Sequence, residues 1–335
     1  MVFTIPKPYV GAHLGIYDPS PDNGLPWAQE TTPPAMFEKI RFDAVDVLHV
    51  GHFIVTPDGH FSIGAVNGIS LAKRFEYIVK TARWMNPDIK IIAEQMYSGG
   101  EGFDVLEKDH KNTAAMVNLH TDSIRDFLQA WQAKPNITYK GKTISLRIDG
   151  YDVDHEGSTV RACTKDVLTQ VRAKVDELTK HDPQHRPFIV GITPYKAFGA
   201  YLDSSMASSC DFVNMQRYSG GSGTLPESYL AKGAIEGLNP AKLTYGIEIE
   251  TPNNNAQANE TIDLIAKAPW TEVHGKKVAG IWTWRLGSNW EFENLMQVWL
   301  YNLVHGTKKE VGGKVPDSDQ VKKEWKKEWE KNEGA

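Results

Sequence analysis

The chain has 335 residues, 41% of them hydrophobic, which suffices for one large core and does not require two domains. Its 37 basic and 42 acidic residues give a formal net charge of −5, so the charge favours neither nucleic acid nor an anionic membrane as a partner. There is no run of about 18 apolar residues and no signal-peptide pattern at the start. We therefore expect a soluble protein, and its compartment stays open because a secreted form could have a signal peptide that is absent from this sequence.

Cys163 and Cys210 are too few for a disulfide framework, and two free thiols are favoured over one bridge.

Eight short apolar, β-rich runs alternate with amphipathic stretches, a pattern typical of parallel strands joined by helical crossovers. Eight such strands most simply close into an α/β fold of the (β/α)8 TIM-barrel type. A doubly wound sheet is the alternative, but no glycine-rich phosphate loop is present, so we expect no nucleotide cofactor. The predicted strands are Tyr9–Tyr17, Ala44–Val55, Ile89–Tyr97, Ile144–Asp154, Phe188–Pro194, Phe212–Tyr218, Leu243–Glu250 and Val278–Trp284.

Helical spacing and a change of composition complete the predicted organisation. From about His305 the chain is dominated by charges and turn residues, so we divide it into a barrel domain, residues 1–305, and a C-terminal tail, residues 306–335. Within the tail, Trp325 and Trp329 are four residues apart and share one face of a predicted helix. This favours a surface helix docked on the barrel over a partner- or carbohydrate-binding appendage. The predicted barrel helices are Leu71–Met85, Thr113–Ala133, Thr164–Lys180, Thr261–Ala268 and Glu293–Val304.

Four carboxylates lie within eight residues at the end of the predicted fourth strand. Side chains alternate along a strand, so Asp152, Asp154 and Glu156 should share one face at intervals of about 7 Å, while Asp149 takes the other face. Like charges this close favour retention of a proton by one of them. A protonated carboxyl beside an ionised one is what cleavage of a glycosidic bond requires. A solvated acidic loop or a divalent-cation site is the alternative interpretation.

The spacing Asp-x-x-Asp-x-Asp-x-Glu resembles the signature of glycoside hydrolase family 18, which contains chitinases, endo-β-N-acetylglucosaminidases and some non-catalytic lectins. Three other segments agree with this resemblance, which spans most of residues 8–305. Residues 211–218 resemble the family's sixth strand with its Gln-x-Tyr motif, residues 278–284 its eighth strand, and residues 89–100 its third strand with a terminal Gly-Gly. Only about one helix fits between strands seven and eight, so we expect no α+β insertion domain of the chitinase type.

The resemblance implies hydrolysis with retention, assisted by the substrate and needing no metal or cofactor. Glu156 would act as acid and base, Asp154 would orient the substrate's 2-acetamido group, and Asp152 would hold Asp154. Tyr218 would help to place the acetamido group. The implied partner is a glycan or oligosaccharide that contains N-acetylglucosamine (GlcNAc), and we expect a monomer without nucleic-acid or membrane partners. The predicted substrate-binding residues are Gln216, Trp284, Asp149, Tyr17, Tyr97 and Glu250.

Two departures from the family pattern bear on the substrate. Tyr97 stands where the third-strand motif usually has Ser, and Ser219 stands where many chitinases have Asp. Ser219, together with Gln216 and an acidic residue on strand seven, Glu248 or Glu250, favours an endo-β-N-acetylglucosaminidase that cleaves the chitobiose core of N-glycans. A chitinase is the first alternative, because plant-type chitinases also use Gln-x-Tyr, and a non-catalytic GlcNAc-binding lectin is the second.

Overall fold

The computed structural model describes residues 5, 8–16, 35–66, 69–96, 102–109, 111–155, 162–195, 202–216, 238–248, 262–267, 277–287 and 290–333. Eight parallel strands form its centre, namely β1 (Tyr9–Gly15), β2 (Val47–Val55), β3 (Lys90–Met96), β4 (Gly150–His155), β5 (Ile189–Pro194), β6 (Phe212–Gln216), β7 (Leu243–Glu248) and β8 (Gly280–Leu286). Each strand pairs with the next, and β1 also pairs with β8, which closes the sheet into a barrel. The predicted (β/α)8 TIM barrel is confirmed.

Helices surround the barrel close to the predicted positions. Their apolar residues recur every three or four positions, and in the fourth helix this places Val167, Val171 and Val175 against the core. No helix among the described residues has the length and hydrophobicity to cross a membrane. The helices are α1 (Ala72–Met85), α2 (Asp104–Glu107), α3 (Thr113–Gln132), α4 (Thr164–His181), α5 (Ser204–Ser209), α6 (Trp290–His305) and α7 (Ser318–Glu333), and residues 262–266 are also helical.

The prediction of one strand over Ile144–Asp154 is wrong at its beginning. Lys142–Ile144 pairs antiparallel with Ile137–Tyr139, and residues 145–149 belong to no regular element. The apolar run is misleading because Leu146 and Ile148 are buried in the core without joining the barrel ladder. The strand that carries the acidic motif therefore begins at Gly150 and ends at His155.

The barrel strands are buried on both faces, as parallel strands covered by helices usually are. Outward side chains such as Val10, Leu48 and Val190 join one large core with the helices. That core also holds Cys163 and Cys210, which are free thiols, as the sequence favoured. Inward side chains from the beginnings of the strands form a separate apolar cluster that fills the amino end of the barrel, made of Tyr9, Val47, Ile92, Ile189, Phe212 and Ala279.

The tail helix α7 packs along α6, as predicted for a docked surface helix. Val321 is fully buried, and Trp325 is 6% exposed. The Trp325 ring meets that of Phe292 edge to face, with 5.6 Å between their centroids. Trp329, one turn later, is partly buried. The tail is therefore fixed to the barrel by apolar packing, and its separation from residues 1–305 as a domain stays a proposal.

We expect Trp325→Ala to lower the free energy of unfolding by about 3 kcal/mol, because it removes a large buried side chain and leaves a cavity beside Phe292. Lys326→Ala is the matched control, since the Lys326 side chain is 55% exposed on the same helix. Urea denaturation followed by circular dichroism measures both variants. Equal stability of the two would contradict the packing described for α7.

Candidate active site

Two carboxylates of the acidic motif lie on the inward face of β4, above the apolar cluster. Asp152 is fully buried and Asp154 is 4% exposed. The structure brings together with them Gln216, at the end of β6, and Trp284, near the end of β8. Asp149 is treated separately below. The remaining predicted site residues lie outside the part of the chain that the structure describes, namely Glu156, Tyr218, Tyr17, Tyr97 and Glu250.

Asp152 is held by a chain of neutral donors that crosses three neighbouring strands. The Thr193 hydroxyl on β5 donates to Asp152 Oδ2 at 2.8 Å and accepts from Asn214 Nδ2 on β6 at 3.1 Å. The Thr244 hydroxyl on β7 donates to Asn214 Oδ1 at 2.7 Å. From the other side, His49 Nδ1 on β2 lies 3.3 Å from Asp152 Oδ2. The hydrogen bond from Thr193, itself held by Asn214, orients the Asp152 carboxylate.

Asp154 lies one step nearer the carboxyl end of the barrel, and its two oxygens face different side chains. Gln216 Nε2 donates to Asp154 Oδ1 at 3.2 Å and also lies 3.5 Å from the Thr193 carbonyl oxygen. His52 Nε2 lies 3.6 Å from Asp154 Oδ2. The carboxylate is therefore placed between β2 and β6, over Asp152.

Two tryptophans of β8 occupy successive inward positions. Trp282 is fully buried, and its ring lies so close to Gly246 of β7 that a Cβ there would come within 2.4 Å of it. Only glycine leaves room for that ring. Trp284 is partly exposed, and its ring stacks beside His52 with 5.8 Å between centroids and 25° between planes. Trp284, which the sequence predicts to bind a sugar, therefore lies at the barrel mouth beside His52, and His52 faces Asp154.

A cluster of histidines with one glutamate extends below this site, and sequence reasoning missed it. His13 and His49 are fully buried, and their rings stack with 4.3 Å between centroids and 9° between planes. His13 Nδ1 lies 2.5 Å from Glu94 Oε1, and His52 Nε2 lies 3.8 Å from Glu94 Oε2. Contacts therefore run from Asp152 through His49, His13, Glu94 and His52 to Asp154.

Burial controls the protonation of this cluster. It lowers the pKa of His13 well below the ordinary value, and His49 lowers it further while Asp152 acts in the opposite direction. Burial raises the pKa of the Glu94 carboxyl, against the influence of His52 and His49. At neutral pH the interior therefore favours a neutral His13, and Glu94 keeps its proton to higher pH than an exposed carboxyl would.

Strand geometry explains which of these residues a sequence could have revealed. His13 pairs in register with His49, and Glu94 with Asp152, so alternation alone places all four on the inward face. The sequence could have revealed them, because each is a polar residue within an otherwise apolar strand. His52 is different, because it lies three residues after His49 and alternation would turn it outward. An irregularity in the β2–β3 pairing between Gly51 and Phe53 turns it inward.

His13, His49 and Glu94 also carry atoms that could bind a metal, and one such atom from each lies within 4.8 Å of the others. A metal ion bound to an imidazole lies in the plane of the ring. The stacked planes of His13 and His49 do not meet at a common ion, because they are nearly parallel. The nearly parallel rings of His13 and His49 therefore do not favour a metal site at these three residues, and the expectation of a metal-free site stays a prediction.

The structure does not bring Asp149 to this site. It precedes β4 at the amino end of the barrel and is fully buried. Arg83 Nη2 lies 2.5 Å from its Oδ2, Arg147 Nη1 lies 2.8 Å from its Oδ1, and the Ile91 backbone N–H donates to Oδ2 at 2.9 Å. The carboxylate neutralises two buried guanidinium groups, which is a structural role at the end of the barrel opposite to Asp154.

No protein-family model matches the sequence, and no curated protein matches it significantly. Solved structures do share the fold over most of the chain. A family 18 chitinase from Cycas revoluta, in complex with (GlcNAc)3, is similar over 89% of this chain and 99% of its own, with a TM-score of 0.60 and 12% identity. A family 18 chitinase from Flavobacterium johnsoniae covers 92% of this chain and 97% of its own, with a TM-score of 0.52 and 14% identity. A family 18 N-acetylglucosaminidase from Paenibacillus barengoltzii covers 88% and 99%, with a TM-score of 0.55 and 13% identity.

We expect Asp149→Asn to lower the free energy of unfolding by about 3 kcal/mol or more, because it leaves Arg83 and Arg147 buried without their counter-charge. Asp176→Asn is the control, since Asp176 pairs with Arg172 but is 55% exposed, and its loss should cost about 1 kcal/mol or less. Urea denaturation measures both. If Asp149→Asn instead left stability unchanged and weakened sugar binding, the result would contradict the structural role and support the predicted substrate-binding role of Asp149.

Proposed function

We propose that this chain is a glycoside hydrolase of family 18 that cleaves β-1,4 linkages at N-acetylglucosamine with retention. One observation carries the proposal: Asp152 and Asp154 lie one above the other on the inward face of β4, and Glu156 follows Asp154 by two residues in the sequence. Catalytic groups of TIM-barrel enzymes come from the carboxyl ends of the strands, which is where this motif leads. The fold shared with family 18 enzymes supports the same conclusion.

The mechanism follows from the order of the three acids along the chain. Glu156, which follows Asp154 by two residues in the sequence, protonates the glycosidic oxygen as the bond to the anomeric carbon breaks. The carbonyl oxygen of the substrate's own 2-acetamido group attacks that carbon from the opposite face. Asp154 orients the acetamido group and stabilises the positive charge of the oxazolinium ion. Glu156 then takes a proton from water, which opens this intermediate with the original configuration restored.

The surrounding side chains fit these roles. Gln216 donates to one Asp154 oxygen and so keeps the carboxylate directed at the acetamido group. Asp152 lies below it in a fixed orientation, held by Thr193. Trp284 presents a partly exposed ring at the barrel mouth, where it can pack against an apolar sugar face. Tyr218, two residues beyond Gln216, would complete the acetamido site.

For the substrate, we propose the chitobiose core of N-glycans, cleaved by endo-β-N-acetylglucosaminidase action. Gln216, Ser219 and an acidic residue at Glu248 or Glu250 support this choice. Only residues 249–279 link β7 and β8, and this short length favours an open site over one walled by an insertion domain. Chitin oligomers are the second candidate, supported by the chitinases among the similar structures. A lectin is the third, and the presence of Glu156 speaks against it.

Mass spectrometry of the products separates these candidates. The protein is incubated with an N-glycosylated protein and, separately, with an N-acetylglucosamine oligomer. A glycoprotein left with one N-acetylglucosamine at each site supports the endoglycosidase. Shortened oligomers beside an intact glycoprotein transfer the assignment to chitinase, and binding of either sugar without cleavage transfers it to a lectin.

We expect Glu156→Gln to lower kcat by about 1,000-fold while KM changes little, because general acid–base groups contribute factors of this order and the variant keeps the shape of the side chain. Glu177→Gln, on the exposed surface of α4, is the matched control and should retain full activity. Steady-state kinetics on the cleaved substrate measures both. Retained activity of Glu156→Gln would refute the acid assignment.

A further inference from the structure

Two buried polar residues, Asn214 on β6 and Thr244 on β7, have no role in the proposed mechanism. They pair in register, and both are fully buried inside the barrel. Asn214 lies on β6 between Phe212, which belongs to the apolar cluster, and Gln216, which contacts Asp154. Both residues therefore lie one step deeper than the side chains that can reach a substrate.

The hydrogen bonds of these residues run in one direction, toward Asp152. The Thr244 hydroxyl has one proton, and it donates to Asn214 Oδ1 at 2.7 Å, since the alternative acceptor, the Val213 carbonyl oxygen, is 3.3 Å away. The Asn214 amide then presents Nδ2 to Thr193 Oγ1 at 3.1 Å. Because an amide nitrogen only donates, the Thr193 hydroxyl accepts there and directs its own proton at Asp152 Oδ2, 2.8 Å away.

We infer that Thr244 and Asn214 are positioning residues of this active site that orient the Asp152 carboxylate through Thr193. This inference rests on the proposed function and identifies two further residues of the same site. Asp152 Oδ1 has no hydrogen-bond partner among the described residues, so the orientation of the carboxylate depends on the bond that Thr193 donates to Oδ2. A carboxylate held in this way places its oxygens at a fixed position below Asp154, in an interior where water screens little.

Burial makes the Thr193 bond sensitive to the distant Thr244 hydroxyl. Asp152, Asn214 and Thr244 are fully buried and Thr193 is 2% exposed. In such an interior each hydrogen bond polarises the next, so loss of the first donor weakens the last bond. Without the Thr244 proton, the Asn214 amide is free to turn over and present its oxygen to Thr193. The Thr193 hydroxyl can then donate to Asn214 in place of Asp152.

Two substitutions of Thr244 separate its hydroxyl from its packing. Thr244→Val keeps the shape and removes the proton, and we expect kcat to fall about tenfold with KM within about threefold of the parent, as for a misplaced catalytic group. Thr244→Ser keeps the hydroxyl and loses a buried methyl group, and its kcat should stay within about twofold of the parent. A packing role alone predicts the opposite order, so a lower kcat in Thr244→Ser than in Thr244→Val would overturn the inference.

Thr121→Val is the matched control for these kinetics. Thr121 is fully buried on α3, outside the barrel, and its hydroxyl donates to another amide oxygen, Gln170 Oε1, at 2.8 Å. The same substitution there removes a buried hydroxyl without touching the donors to Asp152, and we expect an unchanged kcat. Full activity of Thr244→Val, or an equal loss in Thr121→Val, would overturn the inference.

Neutron diffraction from crystals of the perdeuterated parent protein tests the direction of these bonds and needs neither turnover nor a variant that folds. We expect Asn214 to present its nitrogen to Thr193, and the Thr193 deuterium to point at Asp152 Oδ2. An Asn214 oxygen that faces Thr193 would overturn the inference even if the protein cleaves glycans. The expected arrangement in a protein that cleaves neither glycans nor oligomers would support the orienting bonds and refute the proposed function.

Discussion

The whole site depends on the cost of burying charge inside a barrel. Three carboxyl groups and three imidazoles among the described residues share its interior, where little water can solvate them. An ionised group in such a place is stable only if partners surround it. Asp152 accepts a hydrogen bond from Thr193, and Asp154 accepts one from Gln216. The need to partner each acid therefore determines which residues the neighbouring strands must supply.

The barrel separates this polar interior from the forces that hold the fold together. Apolar side chains fill the amino end of the interior, and a larger apolar core joins the outer strand faces to the helices. The buried group of Asp149, Arg83 and Arg147 also lies at the amino end. Stability is thus provided below and around the site, and the carboxyl ends of the strands remain available for chemistry.

The sequence predicted the barrel well, because eight apolar runs and their amphipathic connections are repeated signals that support one another. It also placed Asp152 and Asp154 on one face, since alternation along a strand is strict where pairing is regular. It failed where that regularity ends. The run from Ile144 to Ile148 is apolar because it is buried, not because it is part of the barrel strand, and no pattern in the sequence marks the difference.

His52 shows the same limit at the site itself. Its inward orientation accompanies a local irregularity in the pairing of β2 and β3, which alternation along a strand does not predict. His13, His49 and Glu94 obey alternation, so their inward orientation could have been predicted. Their contacts with one another could not have been predicted, because these contacts require β1 to lie beside β2 and β3 beside β4 in the closed barrel.

The stereochemistry of hydrolysis tests the central claim most directly. Proton NMR during cleavage of an N-acetylglucosamine-containing substrate identifies the anomer that forms before mutarotation. The account predicts that the β-anomer appears first, because the acetamido group and water attack in turn from opposite faces. First appearance of the α-anomer would mean a single displacement by water, and it would contradict the roles given to Asp154 and Glu156.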